Sequence, residues 1–187
     1  MIELKEVLEA GADWAGWGWH ECDDGSIELE NWSPAGENLI VTLKGKDIVR
    51  EMTRYSADFD VDEHVAPLVE IKGTRGVPDS ILVLVEDAKE IEEMLDTLAG
   101  RLQLAEADFR AGWLKEVTKE EANDIIETRE PRGAFLCMEG DVAVGIDNGT
   151  GDAWTEEFRD RIECLKWLLG WSKEMEEDGT DGDEESV

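Results

Sequence analysis

Apolar residues recur every three or four positions through one long stretch of the chain, at Ile81, Leu84, Val85, Ala88, Ile91, Leu95, Leu98 and Leu102. This spacing predicts an amphipathic helix over Ser80 to Leu104, about 37 Å long and opened by Pro78 with Asp79 or Ser80. Its other face carries Glu86, Asp87, Glu90, Glu93 and Asp96, relieved only by Lys89. One face packs, and the other is an acidic stripe.

The rest of the chain divides around this helix. Ile2, Leu4, Val7 and Leu8 suit a short helix stopped at Gly11. Trp17/Trp19 and Ile27/Leu29 alternate with a strand period about the turn Asp23-Asp24-Gly25, which predicts a hairpin. Asn38 to Leu43 reads as a third strand and Lys46 to Ser56 as a helix. Asp62 is placed to cap a short helix through Val69.

Beyond Ala105 the pattern loosens until a helix over Lys119 to Thr128. Two apolar runs follow, Ala134 to Met138 and Val142 to Ile146, on either side of Glu139-Gly140-Asp141. A third strand is expected over Ala153 to Phe158 and a helix over Asp160 to Trp171. The expected fold class is α+β in two small units. Residues 1–110 form a hairpin, a strand and helices that include the long one; residues 111–172 form an αβββα unit; residues 173–187 form a solvated acidic tail.

Charge changes this picture most. The chain has 48 Asp and Glu against 18 Lys and Arg, a net charge of -30 over 187 residues. The tail accounts for -7, so -23 belongs to the part expected to fold. With 41% hydrophobic residues and 8 Trp, disorder of the whole chain is rejected. Haloadaptation is the bland source of such acidity, but 29 Glu outnumber 19 Asp, whereas haloadapted composition favours Asp. Cys22, Cys137 and Cys164 form no disulfide framework, and no apolar run is long enough to span a bilayer, so a soluble protein of a reducing cytosol is expected.

Candidate chemistry is weak everywhere. His20 and Cys22, completed by His64 with Cys137 or Cys164, could in principle hold zinc, but the paired spacing of zinc sites is missing. Asp58, Asp60, Asp62 and Glu63 resemble the start of a calcium loop, yet its sixth position is Glu63 instead of Gly and its twelfth is Val69. Asp147-Asn148-Gly149-Thr150-Gly151-Asp152 lacks a phosphate-loop Lys. Neither His has a triad context. No catalytic residue, metal or cofactor is expected, and a chain this acidic opposes direct binding to phosphates. The Trp residues are expected in the core or as anchors for a protein partner.

The runs Asn31-Trp32-Ser33-Pro34-Ala35-Gly36-Glu37-Asn38, Tyr55 through His64 and Gly76-Val77-Pro78-Asp79-Ser80 resemble a small domain in uncharacterised acidic proteins of Gram-positive bacteria, their phages and other mobile elements. Val144-Gly145-Ile146-Asp147-Asn148 and Thr150 through Phe158 are similar to another recurrent piece from the same sources. The resemblance covers about 150 residues. It implies a class: inhibitors of host defence, including antirestriction and anti-CRISPR proteins, acting in the cytoplasm of a bacterial host.

Charge density agrees with that class. Some 30 charges equal those on about 50 Å of duplex DNA, while a globule of this length has a radius of gyration of about 16 Å. The expected partner is a basic, nucleic-acid-binding surface of a defence nuclease such as a CRISPR effector. The candidate contacts are Asp58, Asp60, Asp62, Glu86, Asp87, Glu90, Glu93 and Asp96. A regulatory adaptor that binds protein through exposed Trp residues is the alternative.

Overall fold

The computed structural model describes residues 1–33, 36, 38–59 and 79–171, and the side chains of 38 and 79–86 are outside that description. It is α+β, with a three-stranded and a four-stranded sheet. The short helix expected from Asp62 to Val69 and the tail at 173–187 lie outside the described residues.

Helix α1 (Leu4–Trp14) does not stop at Gly11. The Glu3 amide donates to Glu6 Oε2 at 2.8 Å to fix its start, and Gly16, at φ 83°, ends it. Gly11 is buried in mid-helix, where an added Cβ would lie 3.3 Å from Ala105 Cβ. The glycine permits this close approach, at a helix-propensity cost of about 0.5–1 kcal/mol.

Strands β1 (Gly18–Glu21), β2 (Ile27–Trp32) and β3 (Asn38–Leu43) form an antiparallel meander. Ile27 and Leu29 on β2 and Val41 and Leu43 on β3 are buried on one face. Trp32 and Ile40 stand exposed on the other, in the period of two that a half-buried sheet requires. Helix α2 (Ile48–Asp58) begins at Asp47, whose side chain accepts from the Arg50 amide at 3.0 Å.

Helix α3 (Asp79–Ala111) is the long element, 33 residues or about 50 Å. Its inward residues Ala88, Ile91, Leu95, Leu98, Ala99, Leu102 and Ala105 are buried as the spacing predicts. It runs seven residues past the expected end at Leu104. Half-buried Phe109 and an Arg110–Glu106 ion pair at 2.6 Å support that extension, one apolar anchor where the upstream turns each have two.

The second sheet contains a strand the periodicity does not reveal. Strand β4 (Leu114–Val117) pairs in parallel with β5 (Ala134–Glu139), and helix α4 (Lys119–Thr128) makes the crossover. A four-residue strand with one buried side chain carries too little alternation to be read locally. Thr118 and Glu121 cap α4 reciprocally: the Thr118 amide donates to Glu121 Oε2 at 2.8 Å, and the Glu121 amide donates to Thr118 Oγ1 at 3.3 Å. Strands β6 (Val142–Asp147) and β7 (Trp154–Phe158) complete the order β4-β5-β6-β7. Helix α5 (Arg161–Leu168) starts at Asp160, whose carboxylate accepts from the amides of Ile162 and Glu163 at 2.6 and 3.2 Å.

The larger core does not end at residue 110. Leu114, Ala134, Leu136, Ala143, Cys164, Leu165, Leu168 and Trp171 join the cluster made by α1, the first sheet, α2 and α3. A smaller core lies between α4 and the other face of the second sheet, with Ile125, Phe135, Cys137 and Ile146. Two polar ties reinforce the shared core. The Arg101 guanidinium lies 3.4 Å from the Trp14 ring centroid and 5.0 Å from that of Trp171, so one cation joins α1, α3 and the segment after α5. Arg161 donates to Glu6 at 2.7 Å and to Glu116 at 2.6 Å, tying α5 to α1 and β4.

Candidate functional site

The acidic stripe is built by α3, and the fold divides its members by what they touch. Glu90 and Glu93 are exposed, one helical step of three apart, and so project from the same side. Asp96 is exposed as well, but its carboxylate accepts a hydrogen bond from the Ser56 hydroxyl of α2. The Gln103 amide reaches Thr53 Oγ1 at 2.9 Å in the same α2–α3 seam. Helix α2 therefore borders the stripe at Asp96. Asp87 is half-buried, and the side chain of Glu86 lies outside the described residues.

The second group of candidate contacts is not assembled by the described residues. Asp58 ends α2, where it receives Arg54 Nε at 3.2 Å across one helical turn. Its charge already faces a local cation. Asp60 and Asp62 lie outside the described residues. The face that remains for a partner is centred on Glu90 and Glu93.

Local electrostatics show how the few cations are used. Lys5, Arg54, Arg110, Lys119, Arg132, Arg161 and Lys166 each meet one or two carboxylates. Hydrogen bonding from Arg161 holds the Glu116 carboxyl below its ordinary range. Burial pushes Glu9 upward, and the neighbouring Glu21 adds to the effect. Burial likewise raises Asp108. None of these cations pairs with Glu90 or Glu93.

Of the zinc and calcium candidates, His64, Asp60, Asp62 and Glu63 lie outside the described residues. His20 is exposed on β1, Cys22 is half-buried after it, Cys137 lies in the small core and Cys164 in the large one. Among the described residues no group of three or more His, Cys, Asp or Glu is arranged to hold a metal ion. Burial pushes the Cys164 thiol up to about 12. The native protein at pH 8 is therefore expected to leave Cys164 unmodified by a thiol-specific aromatic disulfide, with its reaction appearing only on unfolding. Mass mapping of the labelled cysteines checks this, and rapid native labelling of Cys164 contradicts it.

A cleft of ≈ 540 Å³ opens between the N-terminus and β4, lined in part by Ile2, Phe109, Leu114 and Val117. Its Glu116 is already held by Arg161 at 2.6 Å and by the Met1 amino group at 3.0 Å. The charge in the cleft is thus neutralised by the protein itself.

The tryptophans separate into two populations. Trp17 and Trp171 are core residues, and Trp14, Trp19 and Trp167 are half-buried. Trp32, Trp113 and Trp154 are exposed, at 63%, 46% and 66%. Sequence reasoning did not separate them. For Trp154 a signal exists in the following Thr155-Glu156-Glu157, which places polar residues on both faces of a strand and so marks an edge.

Among the described residues no helix is long and apolar enough to cross a membrane. Comparison of the chain with protein-family models, with curated proteins and with solved structures finds no match.

Proposed function

We propose that this protein inhibits a bacterial defence nuclease by occupying the basic surface that holds DNA or guide RNA, a CRISPR effector being the class its sequence resemblance indicates. The observation that carries the reading is the pair of exposed carboxylates on α3, Glu90 and Glu93, which the paired cations do not meet, in a chain of net charge -30. The exposed carboxylates Glu90, Glu93 and Asp96 recur every three residues, about 4.5 Å of helix. That is one carboxylate per roughly 4.5 Å of axis, comparable with the 3.4 Å spacing of one strand of a duplex. A channel of Lys and Arg attracts both surfaces for the same reason, and either one displaces the other.

The test is an electrophoretic competition assay. Purified protein at low salt is expected to displace target DNA or guide RNA from a sensitive nuclease, and to lose that capacity as salt shortens the screening length from about 10 Å at 0.1 M to about 3 Å at 1 M. Glu90→Lys with Glu93→Lys should weaken competition at least about tenfold, because each reversal replaces an attraction by a repulsion at the contact. Asp58→Lys should act less, since Asp58 already pairs with Arg54. Absence of competition against every candidate nuclease at low salt removes the proposal.

Exposed Trp32, Trp113 and Trp154 favour a second reading, an adaptor that binds another protein through aromatic anchors. Charge reversal on α3 separates the two readings. It abolishes inhibition under the first and leaves binding intact under the second.

A further inference from the structure

We propose that the outer edge of β7 is a docking strand for an extended, basic segment of a partner protein, with Trp154 as its anchor. The inference rests on the cationic partner of the preceding reading, and it assigns that partner a second contact away from α3.

Strand β7 ends the order β4-β5-β6-β7, so no strand among the described residues pairs with its outer side. Such an edge presents a row of backbone donors and acceptors to any chain that can lie alongside. Trp154, Thr155, Glu156 and Glu157 are all exposed, on both faces of the strand. Only Phe158 is drawn in, tilted against Trp167 of α5 with ring centroids 5.8 Å apart.

The opposite end is held by a folded loop. Asn148 is fully buried, and its amide nitrogen donates to the carbonyls of Arg129 and Pro131 at 2.9 and 2.8 Å. The Arg129 guanidinium closes back on the carbonyl of Asp152. Ala153 is buried with φ 47°, and the next residue, Trp154, is 66% exposed. A left-handed conformation at a residue other than glycine costs on the order of 1–3 kcal/mol and persists only where its surroundings enforce it. The indole is therefore presented from a fixed base, which lowers the ordering cost of binding.

Charge selects the occupant. Glu156 and Glu157 project to opposite faces, so an added strand meets a carboxylate on each side. A second copy paired antiparallel about the middle of β7 brings Glu156 opposite Glu156, which is unfavourable. A strand with Lys or Arg at those positions reverses that sign, and a cation beside the Trp154 ring gains further attraction. Edge protection alone accounts for the two glutamates but not for an exposed tryptophan beside them.

The probe is a labelled octapeptide of repeated Lys-Lys-Val-Val, which puts a Lys on each face of the strand, compared with versions in which every Val is Pro or every Lys is Glu. The Lys-Val peptide is expected to bind the full chain and slow hydrogen exchange of amides in Trp154–Phe158, while the other two peptides do neither. Trp154→Ala should weaken binding at least about tenfold and Trp154→Phe should recover much of it, as expected for an aromatic anchor. Glu156→Lys with Glu157→Lys should abolish binding at an unchanged melting temperature, since both side chains are exposed. Equal binding of the Pro peptide, insensitivity to these variants, or self-association through β7 in sedimentation overturns the inference. Nuclease competition that persists without peptide docking overturns it while leaving the inhibitor reading intact; docking without competition supports it and removes that reading.

Discussion

Leu98→Ala is expected to destabilise the protein by about 2–5 kcal/mol, because a fully buried leucine loses its transfer energy and leaves a cavity that the surroundings fill only in part. Leu98 has no exposed surface and lies midway along the inward face of α3, in the cluster shared by α1, the first sheet and residues of the second. Leu104, on the same helix, is 55% exposed. Leu104→Ala should change stability by less than about 0.5 kcal/mol, and it controls for helix propensity. Urea unfolding of both variants separates packing from propensity. A Leu98→Ala cost below about 1 kcal/mol removes α3 from the centre of the core. Loss of a single unfolding transition in that variant instead marks α3 as the element joining the two sheets.

The long helix was legible because its apolar spacing persists over several turns, and a wrong assignment would need every turn to fail together. Strand β4 was not, since its evidence is a parallel pairing with residues about twenty positions away. Gly11 shows the same limit from the other side. Local propensity makes it a helix terminator, whereas the approach of Ala105 makes it a packing position. Both errors arise where a partner distant in sequence decides the outcome.

The candidate site divides along that line too. Helical periodicity was enough to place Glu90 and Glu93 on the exposed side of α3. It could not show that Asp96 is engaged by Ser56, forty residues earlier, because no local pattern links α2 to that turn. Asp58 looked like part of an acidic cluster until the Arg54 pair across one turn accounted for it. In so acidic a chain the number of carboxylates says little, and the informative ones are those the fold leaves without a job. Exposure of Trp154 follows from strand order at the sheet edge, a tertiary property that composition does not carry.

Trp17→Ala should be still more damaging, at about 3–5 kcal/mol, while Trp17→Phe should cost less than about 1.5 kcal/mol. Trp17 is 1% exposed and sits where Gly16 turns the chain out of α1 and into β1. Its backbone amide donates to the Ala12 carbonyl at 2.9 Å, which fixes the side chain's entry into the core. Alanine empties the space of an entire indole. Phenylalanine keeps most of the apolar contact and also removes an indole N–H that is buried without a hydrogen-bond partner. Such a donor costs about 1–3 kcal/mol, so its deletion offsets much of the lost volume. Thermal and urea unfolding of the two variants decide the matter. A Phe loss well above about 1.5 kcal/mol would mean that the indole nitrogen is satisfied by a bound water, so that its removal offsets nothing. A small loss for both would mean that the turn at Gly16 and the pairing of β1 hold the chain without Trp17, which contradicts its place in the shared core.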